Sequence, residues 1–270
     1  MAYEWIVDAL EATWTSVHRL LIDRPLEVYD RPTSLPGWSV RDVVSHLVGF
    51  ELLLRGEAPP AHEGPWPDYV HNPIGELNEV YVAAYRSRPG PEILAQFREV
   101  SAAAIARLRQ LDDEAWDRMG WSPEGERPYH RFMETRVLDS WIHLQDLRDA
   151  LLEPADDHGV GEEIVLNRFE AALPYVVGKK MHAPEGFVLR LNLSGRLARS
   201  VVIGVRDGRA TRWPDPVDTV AVEITTPVAL FWRRAAGRVS ADAFLAASAT
   251  ECHGDPALAR AFADALVIMI

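Results

Sequence analysis

Between Ile6 and Leu147 the apolar residues of this chain recur in steps of three and four, and beyond Phe187 they alternate in steps of two. Steps of three and four lay side chains along one face of a helix, and steps of two along one face of a strand. A chain carrying the two periods in separate halves is expected to fold as a helical domain followed by a sheet.

In the first half, Ile6, Leu10, Trp14, Val17 and Leu21 predict a helix over residues 2–22. Val43, Leu47, Phe50 and Leu54 predict one over 40–55, with Ser39 as N-cap and Asp42 completing a capping box. Prolines and glycines make 56–73 a loop, and a short helix is expected over 74–87. Ile93, Leu94, Phe97, Val100, Ala104 and Leu108 mark a helix over 91–111, residues 112–128 read as irregular, and Phe132, Val137, Leu138, Ile142 and Leu147 mark the longest helix, over 129–152. The sum is four principal antiparallel helices and a short extra one, an N-terminal four-helix bundle.

The character changes at Glu153–Gly159, taken as a linker between domains at 1–155 and 160–270. A helix is expected over 160–178, then alternating strands at 187–193, 200–205 and 219–224, with a hairpin turn at Asp207-Gly208. Helices are expected over 226–237, 240–251 and after Asp255-Pro256. This half reads as a small α/β domain with an antiparallel sheet.

Composition narrows the function. The 270 residues carry a net charge of -12, from 40 acidic against 28 basic side chains, which argues against nucleic acid or an anionic membrane surface as partner. No apolar run approaches the roughly 18 residues of a membrane span, and the N-terminus lacks the basic-then-apolar order of a signal peptide. Cys252 is the only cysteine, so an internal disulfide or a cysteine metal cage is excluded and a reducing cytoplasm is expected. Cys252 is read as helical, at the end of the helix expected over 240–251 and beside Glu251, where it reads as an idle thiol. A monomer is expected.

Asp139 and His143 stand four apart on the longest helix and so project from one face. Such a pair suits a metal ion, and His46, from another helix, is a candidate third ligand. Two imidazoles and one carboxylate leave a coordination position open, as catalytic zinc, ferrous iron or nickel sites do. The plainer alternative is a chance pairing among nine histidines, with His46 a hydrogen-bonded core residue. Asp146 is either an acceptor behind a ligand histidine, or an ion-pair partner of Arg148 or Arg136 or the cap of a nearby loop. Arg233, Arg234 and Trp38 are the candidates for contacting a cofactor, with surface arginines and a core tryptophan as the plainer readings. Arg238, Trp121 and Trp141 carry the same two readings.

The stretch from Leu35 to Leu47, LPGWSVRDVVSHL, resembles the PGW-(S/T)-V-x-(D/E)-x-x-x-H-(L/I) stretch of the mycothiol-dependent maleylpyruvate isomerase family, among the wider DinB-like metalloenzymes. The stretch from Arg136 to Arg148, RVLDSWIHLQDLR, is similar to that family's second motif, an acid four residues before a histidine and then H-x-x-D-(L/I). The resemblance implies a DinB-like bundle followed by a sterol-carrier-protein-like α/β domain. It implies His46, Asp139 and His143 as metal ligands, zinc as the ion, and mycothiol, a thiol of actinobacteria, as cofactor. The arginine-rich composition, with Lys179 and Lys180 the only lysines, is compatible with that source. The isomerases themselves place glutamate where Asp139 stands.

A free thiol has a pKa near 8.5, and a dication deprotonates a thiol that coordinates it. The implied function is therefore a metal-dependent enzyme that uses the thiol for S-transfer, isomerisation or dehalogenation of a small electrophilic substrate. Two alternatives stay open: a metal-dependent hydrolase that needs no thiol, and a ligand- or lipid-binding module with a structural metal.

Overall fold

The stripes of the first half become four long helices, α1 (Glu4–Leu21), α2 (Val40–Leu54), α4 (Gly90–Leu108) and α6 (Tyr129–Leu151), with the shorter α3 (Pro73–Tyr85) against α2. These belong to a computed structural model that describes residues 2–155, 159–214, 217 and 219–269. The chain divides into two units, Met1–Ile164 and Val165–Ile270. That division falls inside α7 (Val160–Tyr175), and residues 156–158 of the expected linker lie outside the described residues.

In the first unit α1 packs on α6 and α4, and α2 packs on α4, α3 and α6. Ile6, Leu10, Val17, Val43, Leu47, Phe97, Leu108, Val137 and Leu147 are sealed from solvent in one core. α6 is buried on nearly every side, so polar side chains on it must find partners within the bundle. No helix among the described residues is long and apolar enough to cross a membrane.

The segment expected to be irregular, 112–128, is ordered. It holds α5 (Asp113–Asp117) and a hairpin of β1 (Met119–Ser122) and β2 (Gly125–Pro128). Ser122 closes the turn, its hydroxyl donating to the Gly125 carbonyl at 2.6 Å.

The second unit corrects several expectations. Its sheet runs β5 (Arg209–Trp213), β4 (Arg199–Arg206), β3 (Val188–Ser194), β6 (Val222–Pro227), β7 (Glu251–Gly254). It is mixed rather than antiparallel, because β3 and β6 pair in parallel, Leu189 opposite Val222 and Leu191 opposite Ile224. The strand expected at 219–224 is shifted to Val222–Pro227, where Val222, Ile224 and Thr226 are the buried alternation. The helix expected over 226–237 is α8 (Val228–Ala235). The one expected over 240–251 stops early as α9 (Ala241–Ala246), and residues 251–254 form β7 on the sheet edge. Cys252 therefore lies on an exposed strand opposite Ile224, not in a helix. α10 (Pro256–Ala265) follows, capped by Asp255.

Candidate metal centre

The start of α2 sets the height of His46. Asp42 accepts the Ser39 amide at 2.8 Å while the Ser39 hydroxyl accepts the Asp42 amide, the reciprocal capping box expected from the sequence. On α6, Arg136, Asp139, His143 and Asp146 are spaced three, four and three residues, which places all four on one face. That face and His46 meet inside the first unit.

His46 Nε2 lies 3.3 Å from both carboxylate oxygens of Asp139, and His143 Nε2 lies 3.5 Å from Oδ1. One ligand atom from each of the three residues falls within 4.8 Å of the others. Zinc–ligand arms of about 2.0–2.1 Å in tetrahedral geometry separate donor atoms by about 3.3–3.4 Å. Each imidazole thus stands from the Asp139 carboxylate at about the spacing such an ion requires. The histidine side chains are 2% and 6% exposed, and Asp139, at 21%, forms the open edge.

His143 and Asp139 are each held from behind. Asp146 Oδ2 lies 3.1 Å from His143 Nδ1 and its Oδ1 accepts the Ser34 hydroxyl at 2.9 Å. A carboxylate on Nδ1 leaves Nε2 turned toward Asp139, the arrangement common behind metal-bound histidines. Of the sequence readings for Asp146, the structure shows the acceptor behind His143 and, through Ser34, the contact to a nearby loop. Arg136 instead donates to Asp139 Oδ2 at 2.6 Å and to Glu51 Oε1 at 2.9 Å, and its guanidinium carbon sits 4.0 Å from the Phe50 ring centre. Sequence reasoning missed the Glu51 partner, although Arg136 at three residues before Asp139 was a signal for the other half of the contact.

These surroundings polarise the triad. Burial alone would push the His143 imidazole down, but the adjacent Asp139 and Asp146 carboxylates outweigh it and raise its pKa to about 9. His46 moves the other way, because its burial outweighs the attraction of Asp139. Burial would raise the Asp139 carboxyl, yet the two imidazoles hold it well below the usual carboxylate range.

Trp38 closes one side, its ring centre 5.4 Å from that of His46 and 6.1 Å from that of His143. Its indole N–H donates to the buried Glu79 at 2.9 Å. The other cofactor candidates belong to the second unit. Arg234 is committed there, donating to the carbonyls of Ala263, Val239 and Asp264 at 2.8, 2.8 and 3.2 Å. The Arg233 guanidinium stacks over Trp232 at 4.4 Å, and the Arg238 guanidinium donates to the Ala236 carbonyl at 2.7 Å. Trp141 is a core residue, whereas Trp121 is largely exposed on β1.

The sequence model of the mycothiol maleylpyruvate isomerase N-terminal domain matches residues 10–148, more than half of the chain. No curated protein matches it. Among solved structures, the chain is similar to the mycothiol-dependent maleylpyruvate isomerase, with 19% identity and a TM-score of 0.57 over 88% of this chain and 90% of that one. A histidine-to-alanine mutant of that enzyme gives 18% identity and a TM-score of 0.58 over the same shares. At such identity the likeness is one of fold.

Proposed function

Since the chain belongs to the mycothiol maleylpyruvate isomerase N-terminal domain family, we propose that it is a metal-dependent enzyme that uses mycothiol to isomerise a small electrophilic substrate or transfer sulfur to it. The observation that carries this is the buried cluster of His46, Asp139 and His143, with three donors facing one point inside the domain that matches the family. Zinc is the ion we assign, because the motif resemblance implies it and the two-imidazole, one-carboxylate donor set accepts it. A divalent ion held there supplies the Lewis acidity that makes a thiol a thiolate at neutral pH.

The chain's own side chains prepare the place. Asp146 orients His143, and Arg136 with Glu51 fixes the Asp139 carboxylate, so these two side chains are already placed when the ion binds. Burial of both imidazoles keeps water from that side, while the Asp139 edge is where a small molecule reaches the centre. The chain's one cysteine is on β7 and is not among the residues that build the centre, so thiol chemistry there calls for an external thiol.

The test is turnover of maleylpyruvate and of a generic electrophile by the purified protein, with and without mycothiol, before and after metal stripping. We expect turnover that needs both the thiol and the metal and is lost in His46→Ala. Turnover indifferent to thiol would make the protein a hydrolase. Ligand binding that survives metal removal, without turnover, would make it a binding module.

A further inference from the structure

His143 and Asp139 each have a charged partner behind them, Asp146 and Arg136. Among the described residues His46 has none: its hydrogen-bond contacts run from Nε2 to the Asp139 carboxylate alone, at 3.3 Å. Its ring is instead packed against other rings. The centre of the Trp38 ring lies 5.4 Å away, that of Phe50 6.2 Å and that of His143 4.8 Å. A side chain that no hydrogen bond turns from behind is oriented by what it packs against.

The two hydrocarbon-faced neighbours are fixed in different ways. Phe50 stands four residues beyond His46 on α2, so the helix itself sets it beside the imidazole, and the Arg136 guanidinium lies over its ring at 4.0 Å. Trp38 precedes the Ser39 N-cap and is outside the helix. Its carbonyl accepts the Thr33 amide at 3.0 Å and the Thr33 hydroxyl at 2.8 Å. Those bonds fix the backbone and leave the indole torsions open. The polar group that holds the indole is the Glu79 carboxylate, at 2.9 Å.

Glu79, on α3, is 1% exposed. Its Oε1 accepts the Tyr69 hydroxyl at 3.0 Å and pairs with Arg86 at 2.9 Å, while its Oε2 accepts the indole. Arg86 also donates to the Tyr69 hydroxyl at 2.8 Å. Tyr69 lies on the turn that carries Trp38: Gly37 has a φ of 73°, and a Cβ there would come within 2.2 Å of the Tyr69 ring. An indole N–H needs one acceptor, which a neutral amide supplies. A buried carboxylate held by three donors is a costlier device, and it makes a stronger bond of fixed direction.

We propose that Glu79 is a positioning residue of the metal centre: acting through the Trp38 indole, it sets the orientation of the His46 imidazole. This rests on the metal reading proposed above and is independent of the thiol.

The test measures zinc affinity of the full chain by chelator competition, beside urea unfolding, in Glu79→Leu, Glu79→Gln, Trp38→Phe and the double variant of Glu79→Leu with Trp38→Phe. Leucine removes the acceptor, glutamine keeps a neutral one, and phenylalanine keeps a ring without an N–H. Glu79→Leu and Trp38→Phe should each weaken zinc about tenfold. Glu79→Gln should recover most of that loss, and the double variant should bind as Trp38→Phe does. Wild-type affinity in Glu79→Leu overturns the proposal. So does an equal further loss when Glu79→Leu is added to Trp38→Phe, because Glu79 would then act without the indole. If Glu79→Leu does not fold, Trp38→Phe decides, and wild-type affinity in it overturns the proposal while leaving the metal reading intact. Wild type that takes up no zinc ends the metal reading and the positioning role with it.

Discussion

The Arg136 guanidinium joins Asp139 on its own helix, at 2.6 Å, to Glu51 on α2, at 2.9 Å. Arg136 and Glu51 are each 2% exposed, so removing one charge strands the other. Arg136→Met should cost about 3–5 kcal/mol, and adding Glu51→Leu should recover most of it. In that double variant Asp139 is no longer held, and metal affinity should fall about 10–100-fold. Urea unfolding and competition with a chelator measure the two effects. Full affinity in the double variant would show that Asp139 needs no orienting partner.

Elemental analysis should find one divalent ion per chain, lost in His46→Ala and His143→Ala. Asp139→Glu should keep the ion and change turnover, because glutamate adds one methylene and reproduces the residue of the isomerases. Metal content unaffected by His143→Ala would sink the assignment.

Asp146→Asn should lower metal affinity by about 10–100-fold with little loss of fold, since it weakens the contact that turns His143 Nε2 inward. The same variant should bring the His143 pKa of the stripped protein down from about 9. An unchanged affinity would assign Asp146 to packing alone.

In metal-stripped protein the folded-state pKa of His143, about 9, exceeds its ordinary value of 6.5. The imidazolium therefore contributes stability that is full below about pH 6.5 and is lost as pH rises through about 9. An entering ion must displace that proton, so metal affinity should rise about tenfold per pH unit between these values and level off above them. Chelator competition across this range checks it, and a flat profile would mean that His143 is already neutral.

The cluster of His46, Asp139 and His143 was legible because it obeys the helical period and stands in two family-like motifs. Its supports were less so. Glu51 is one of many acids in a helical stretch, and nothing local says that Arg136 on a distant segment will reach it. The mistaken helix over 240–251 has a physical cause: Phe244, Leu245 and the alanines around them favour helix, and only pairing with β6 makes a strand of residues 251–254. Local sequence likewise says nothing of β6 lying beside β3 rather than beside β5, which precedes it in the chain.

That parallel pairing carries a kinetic consequence. β3 and β4 are joined by a short turn and can zip locally, but β3 and its partner β6 are about 30 residues apart. Closing the longer span costs more chain entropy, and such non-local pairings slow folding. Amides of β7, whose neighbour in the sheet is β6 alone, are accordingly the last of this sheet to gain protection from exchange when the chain refolds.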